Sequence, residues 1–199
     1  MAEQSSRFGF GVLAWSVGLF FALLLVISLL VNYFLSGVTD PRSAQSVVSA
    51  AKTGVGGSVS DLSLPRLDGV SVTLNQFEGK VLVLNFWATW CGPCREEMPA
   101  LQSLSKQLDP QSYRVIGINV DQDQELVQQF IKEYQLDFLQ LSDRTMRVSN
   151  DLLGIAAFPQ TLIVDQTGKI DRVIVGNKPW DDPAYYQPLL AIDAAAATP

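Results

Sequence analysis

The sequence predicts an α/β domain carried behind one membrane-spanning helix. Three observations predict it. No charged residue occurs from Phe8 to Thr39, and residues 10–35 are dominated by Leu, Phe and Val. Beyond that run, short blocks of Val, Ile and Leu alternate with stretches whose apolar residues recur every three or four positions. That is the pattern of buried strands joined by helices. The only two cysteines of the chain lie as Cys91-Gly92-Pro93-Cys94, where one such strand gives way to one such helix.

Residues 1–9 read as a short N-terminal tail. Residues 10–35 suffice for a transmembrane helix, since roughly 20 apolar residues span a bilayer. A cleaved signal peptide has an apolar core of only about 7–15 residues followed by small residues. Asn32-Tyr33-Phe34-Leu35 does not supply such a cleavage site. Arg7 lies on one side of the run, and Arg42 and Lys52 on the other, so flanking charge hardly biases its orientation. Residues 36–58, rich in Ser, Val, Ala and Gly, read as a flexible linker. The folded domain is expected over residues 59–193, with 194–199 as a frayed tail.

The domain opens with a strand near Leu62–Leu64. Asp68-Gly69 is a turn signal, after which Val70–Leu74 can pair back as a β-hairpin. Phe77 marks a short turn, and Gly79-Lys80 leads into a central strand at Val81–Trp87. Met98, Leu101, Leu104 and Leu108 give the next segment one apolar helical face. Tyr113–Asn119 reads as a buried strand. Asp121 with Gln124 resembles a capping pair for a helix bearing Leu126, Val127, Phe130, Ile131 and Tyr134. A strand at Phe138–Leu141 and a short helix at Met146–Leu153 follow. The strand–helix–strand–helix order implies right-handed parallel crossovers. Gln160–Val164 and Ile170–Val175 flank a hairpin turn at Asp165–Gly168. Asp182 before Pro183 starts a last helix through Tyr185, Leu189, Leu190 and Ile192.

The spacing of Cys91 and Cys94 suits a reversible disulfide. At the start of a helix, the macrodipole and free N–H groups favour a thiolate at Cys91. Cys91 is then the nucleophile and Cys94, one turn in, the resolving thiol. A static disulfide closing so short a loop would constrain the unfolded chain little. Zinc needs about four ligands, and the chain has no histidine and no third cysteine. Glu97 falls three residues after Cys94 on the same helix face. It is either a proton acceptor for a thiol or a solvated carboxylate in a helix's first turns.

Asn85-Phe86-Trp87-Ala88-Thr89-Trp90-Cys91-Gly92-Pro93-Cys94, followed by Arg95-Glu96-Glu97-Met98-Pro99, resembles the membrane-anchored thioredoxin-like thiol–disulfide oxidoreductases of the TlpA, ResA and DsbE/CcmG type. The likeness runs from about Val59 to Asp193. It implies a thioredoxin-like fold with an N-terminal β-hairpin and a central βα insertion. It implies a redox-active disulfide, Cys91-Cys94, with no other cofactor, and a glutamate at Glu97 near the cysteines. It implies a cis proline at Pro159, with Phe158 beside it offering backbone to an extended substrate. Trp90, Gly92 and Pro93 complete the expected substrate-binding surface. Asn85 stands where ordinary thioredoxins carry a buried aspartate, as a proton-handling difference or as a strand-end amide that satisfies backbone. Gln160 departs from the acidic residue that many cytochrome-maturation members carry after this proline.

The resemblance further implies a reductant of disulfides in exported proteins, such as apocytochrome c during cytochrome c maturation. Its electrons would come from a membrane donor of the DsbD/CcdA type, and its domain would lie on the extracytoplasmic side, in the periplasm or an equivalent lumen. An oxidative or isomerising catalyst is the nearest rival, and a non-catalytic membrane-tethered binding module the bland one. A peroxidase would need a peroxidatic cysteine outside residues 91–94, and a copper chaperone a ligand histidine; the chain has neither. With 14 Lys and Arg against 20 Asp and Glu, it carries no basic footprint for nucleic acid.

Overall fold

The computed structural model describes residues 23–32 and 54–192. The chain divides into two units, Met1–Ser46 and Val47–Pro199. In the first, residues 23–32 form a helix (α1) whose Leu23, Leu25, Leu29 and Leu30 are exposed. Among the described residues no helix is long and apolar enough to cross a membrane. The rest of the span expected over 10–35, most of the linker and the tail 194–199 lie outside the described residues.

The second unit is built on a five-stranded sheet of order β5-β4-β3-β6-β7. Its strands are β3 (Val81–Trp87), β4 (Tyr113–Asn119), β5 (Leu139–Ser142), β6 (Gln160–Val164) and β7 (Ile170–Val175). β3, β4 and β5 run parallel, and β6 and β7 are antiparallel to their neighbours. The two parallel steps are bridged by α2 (Gly92–Gln107) and α3 (Gln124–Glu133), the crossovers that the strand–helix alternation predicts. A separate hairpin of β1 (Ser63–Pro65) and β2 (Ser71–Thr73) precedes the sheet, pairing Leu64 with Val72. Its turn uses Gly69 at φ 86°, a left-handed conformation that suits glycine. A bridge between Arg66 and Leu141 joins it to the free edge of β5.

The alternation of β3 sorts the core into two layers. Val81, Val83 and Trp87 face α2, α3 and the last helix α4 (Pro183–Leu190), packing on Met98, Leu101, Val127, Phe130 and Leu190. Leu82, Leu84 and Phe86 face the hairpin side, with Leu64, Val72, Leu74 and Val148. All seven residues of β3 are buried, as expected for a strand covered on both faces. This central position makes the end of β3 a rigid base for the Cys91 loop.

Several elements depart from the sequence reading in detail. Gly56 N–H and Gly57 C=O, in the segment read as linker, hydrogen-bond to Ile170 at 2.7 and 2.8 Å. The segment read as a short helix at Met146–Leu153 is a wide π-type turn, Arg147–Leu152, entered through Met146 at φ 56°. Asp143 draws its start inward by accepting N–H bonds from Val148 and Ser149. Asp121 is not the cap of α3: that cap is Asp123, whose carboxylate accepts from the N–H groups of Glu125 and Leu126. Asp182 caps α4 with Pro183 in its first turn, as the sequence predicts.

Candidate active site

Cys91 is the N-cap of α2, and Pro93 lies in the first turn. Cys91 and Cys94 are joined as a disulfide, and the Cys94 N–H points at Cys91 Sγ at 3.2 Å. The reduced sulfur of Cys91 would therefore meet a backbone donor and the positive end of a helix, both favouring the thiolate. Cys94 is fully buried, whereas Cys91 keeps 6% of its surface. Cys91, the less buried of the pair, is the one at the helix start.

The surroundings of Cys91 are open. Gly92 and Pro93 are exposed, and Trp90 is 68% exposed. The Phe158–Pro159 peptide bond is cis, as the resemblance implies. Phe158 meets Trp90 edge-on, with ring centroids 6.0 Å apart. Trp90, Gly92 and Pro93 adjoin the cysteines in sequence, and Phe158, which precedes Pro159, packs against the cluster that holds Cys91 and Cys94. Pro159 itself is buried.

The loop between β3 and Cys91 is pinned from the neighbouring strand. Asp121, just past β4, accepts from Thr89 N–H at 2.8 Å and Thr89 O–H at 2.9 Å. Asn119 braces the same carboxylate at 2.7 Å. Hydrogen bonds to a charged group contribute about 1.5–3 kcal/mol each. Asp121→Ala is expected to cost about 3 kcal/mol of stability and to loosen the Thr89–Cys91 segment. Urea unfolding measures the first, and loss of amide-exchange protection at Thr89 the second.

Trp87, at the end of β3, is wholly buried, and its indole N–H donates to Gln140 Oε1 at 3.1 Å. Gln140 reaches it across β4 only because the intervening residue is Gly117. A Cβ there would collide with Gln140 Oε1.

Glu97, three residues after Cys94 on α2, is 1% exposed. Glu96 beside it is exposed and accepts from Asn177 Nδ2. Glu97 Oε1 accepts from Asn85 Nδ2 at 2.7 Å, and Oε2 from Trp180 Nε1 at 3.2 Å and Lys178 N–H at 3.3 Å. Burial pushes its pKa up to about 7, against the pull of these three donors and the Lys178 charge. Asn85 also donates to Thr161 Oγ1 at 3.0 Å, across the β3–β6 pair. The reading of Glu97 as a solvated carboxylate is corrected by this burial, and that of Asn85 as a backbone-satisfying amide by its side-chain partners. Trp180 carried no role in the sequence reading; it is fully buried and edge-on to Tyr185 at 5.5 Å. Among the described residues, no group of three or more Cys, Asp or Glu is arranged to hold a metal.

A strand-end disulfide at a helix N-terminus, with a cis proline immediately before the neighbouring strand β6 of a parallel-centred sheet, defines a thioredoxin-like thiol–disulfide oxidoreductase. The comparisons agree. The model of the AhpC/TSA family matches residues 55–173. Thiol-disulfide oxidoreductase ResA of Oceanobacillus iheyensis is 32% identical over 158 residues, covering 77% of this chain and 78% of that protein. Its namesake in Geobacillus thermodenitrificans is 33% identical over 128 residues, covering 64% and 73%. The crystal structure of a candidate thiol:disulfide interchange protein DsbE from Chlorobium tepidum matches with TM-score 0.60 and 29% identity. It covers 69% of this chain and 96% of that one. The chain belongs to the AhpC/TSA family and is an enzyme of the ResA/DsbE type, with Cys91–Cys94 as its redox centre.

Proposed function

We propose that this enzyme is a membrane-tethered reductant of disulfides in exported proteins, apocytochrome c among them. The observation that carries the reading is the Cys91 N-cap, partly accessible between exposed Trp90, Gly92 and Pro93, with no histidine between the cysteines. Residues 10–35 serve as the anchor, 1–9 as a cytoplasmic tail and 36–58 as the linker. The domain from residue 59 to 193 then works on the extracytoplasmic side, in the periplasm or an equivalent lumen. A membrane donor of the DsbD/CcdA type restores the dithiol after each turnover.

The chemistry is two successive exchanges. The Cys91 thiolate attacks a substrate disulfide, forming a mixed disulfide and releasing one substrate sulfur. Cys94 gives its proton to Glu97 and attacks the Cys91 sulfur, re-forming Cys91–Cys94 and releasing the second. Two electrons pass from the enzyme dithiol to the substrate, and the two released sulfurs take up one proton returned by Glu97 and one from solvent, leaving as thiols. Trp90, Gly92 and Pro93 contact the substrate around the sulfur, and Phe158 with Pro159 pairs with its extended backbone.

Cys94→Ala removes the resolving thiol, so exported cysteine proteins are expected to accumulate as covalent adducts of Cys91. A pull-down without any such adduct overturns the reading in favour of a binding module. Lacking a histidine to stabilise the thiolate, the couple is expected near thioredoxin's value of about −270 mV rather than the roughly −120 mV of an oxidant such as DsbA. A potential above about −170 mV in a glutathione buffer would instead mark an oxidising or isomerising catalyst.

A further inference from the structure

The carboxylate of Glu97 receives three donors and faces no acceptor among the described residues. Such a shell suits the ionised form. A protonated Glu97 has an O–H to donate, and in the observed arrangement its Oε1 meets another donor, Asn85 Nδ2, at 2.7 Å. The opposite end of the same amide is anomalous. Asn85 is fully buried, yet its Oδ1 has no hydrogen-bond partner. Buried polar atoms are seldom left so.

We infer that Asn85, backed by Thr161, is the positioning residue that follows the proton of Glu97, its side-chain amide turning over when Glu97 becomes neutral. Rotation about the terminal torsion exchanges Oδ1 and Nδ2 without moving the strand. Oδ1 then accepts from the Glu97 O–H. Thr161 Oγ1, which accepts from Nδ2 at 3.0 Å, reverses its hydroxyl and donates to the same Oδ1. One amide atom stays unpartnered in each orientation, the carbonyl oxygen beside the ionised carboxylate and the NH2 beside the neutral one. An aspartate has no such pair of unlike ends. This extends the reading of Glu97 as proton acceptor for Cys94, and it deepens that reading rather than standing apart from it.

The other groups facing Glu97 do not do this. The Lys178 backbone N–H and the Trp180 indole N–H are donors only, and the Lys178 ammonium favours the ionised carboxylate. The Tyr185 hydroxyl is held to higher pKa by burial and then by the Glu97 charge. Cys94 lies one turn back on α2 and does not titrate while in the disulfide.

The test is an NMR titration of the full chain in detergent micelles, in the disulfide form, from pH 5 to 9. The Glu97 side-chain carbon reports its protonation, and cross-peaks from the Asn85 side-chain N–H protons report orientation. Above the Glu97 midpoint those protons are expected close to Glu97 and Thr161; below it both sets of cross-peaks are expected to vanish. Cross-peaks that persist below the midpoint overturn the inference, as does a Glu97 that never titrates in this range. A second arm follows the pH–rate profile of Asn85→Asp, expected to move at least one pH unit upward, a tenfold change in proton concentration. An unmoved profile also overturns the inference. The titration needs no turnover, so its failure is separable from failure of the reductase reading, which the trapped adducts decide.

Discussion

Glu97→Gln is expected to slow disulfide exchange at pH 7 by about 10²-fold, the lower range for loss of a positioned acid–base group. The same substitution is expected to make the fold more stable in alkali. The sign follows from linkage. Glu97 has a pKa of about 7 in the folded chain against an ordinary 4.5. Between those values the native state holds a proton that the unfolded chain has released. Stability contributed by the neutral carboxyl is therefore full below about pH 4.5 and is lost as pH rises through 7. A shift of that size corresponds to about 3 kcal/mol. Glutamine, close in shape and never charged, removes the dependence. Its carbonyl oxygen can take the Trp180 and Lys178 donors, while its amide faces Asn85. Urea unfolding at pH 4 and 8.5 is expected to show the variant about equal to the parent at the lower pH, below the unfolded-state pKa, and more stable at the higher. Equal parent stability at both values would remove the buried ionisation from the account.

The opposed effects follow from what the site does. An ionisable group kept off its preferred charge state costs stability, and the fold tolerates that cost where the proton is used. The Glu97 cluster spans β3, α2, β6 and the segment after β7, so relaxing it would disturb elements that hold the disulfide itself.

How much of this was legible in the residues differs by element. β3, β4, β6 and β7 occupy the spans read for them: β3, β4 and β6 hold buried apolar runs, and β7 is fixed by the hairpin turn at Asp165–Gly168 that precedes it. The Cys91–Cys94 motif was equally plain: a strand-type run before it and a helical period after it fix where the sulfurs lie. Asp121 was misread because Val120-Asp121-Gln122-Asp123 offers two possible caps, and only the approach of Thr89 decides which one is occupied elsewhere. The π-type turn at Arg147–Leu152 is rich in the weak helix formers Val, Ser, Asn and Asp, and Asp143 reaches forward to two backbone donors at its start. The partnership of Glu97 with Trp180 was invisible, since 83 positions separate them and no periodicity links the two. A clue did exist in the lone tryptophan of Asn177-Lys178-Pro179-Trp180, a large apolar side chain with an N–H that must find an acceptor once buried.

Trp180 is consequently the most informative residue to change after Glu97. Trp180→Ala is expected to cost about 3–5 kcal/mol, the usual loss for emptying a large buried site. That figure combines lost packing on Tyr185 with a lost donor to Glu97, and Trp180→Phe separates them. Phenylalanine keeps most of the ring but has no N–H. Its cost should fall mainly on the ionised carboxylate, since a donor to a charged acceptor is worth about 1.5–3 kcal/mol and a donor to a neutral one about 1. Trp180→Phe is thus expected to destabilise the fold more at pH 8.5 than at 5.5, and to push the Glu97 midpoint further above 7. Combined with Glu97→Gln, the alkaline excess should disappear, because no charge remains to be solvated. An equal loss at both pH values, unchanged in the double variant, would reduce Trp180 to packing and leave Asn85 and the Lys178 backbone as the groups that hold the carboxylate.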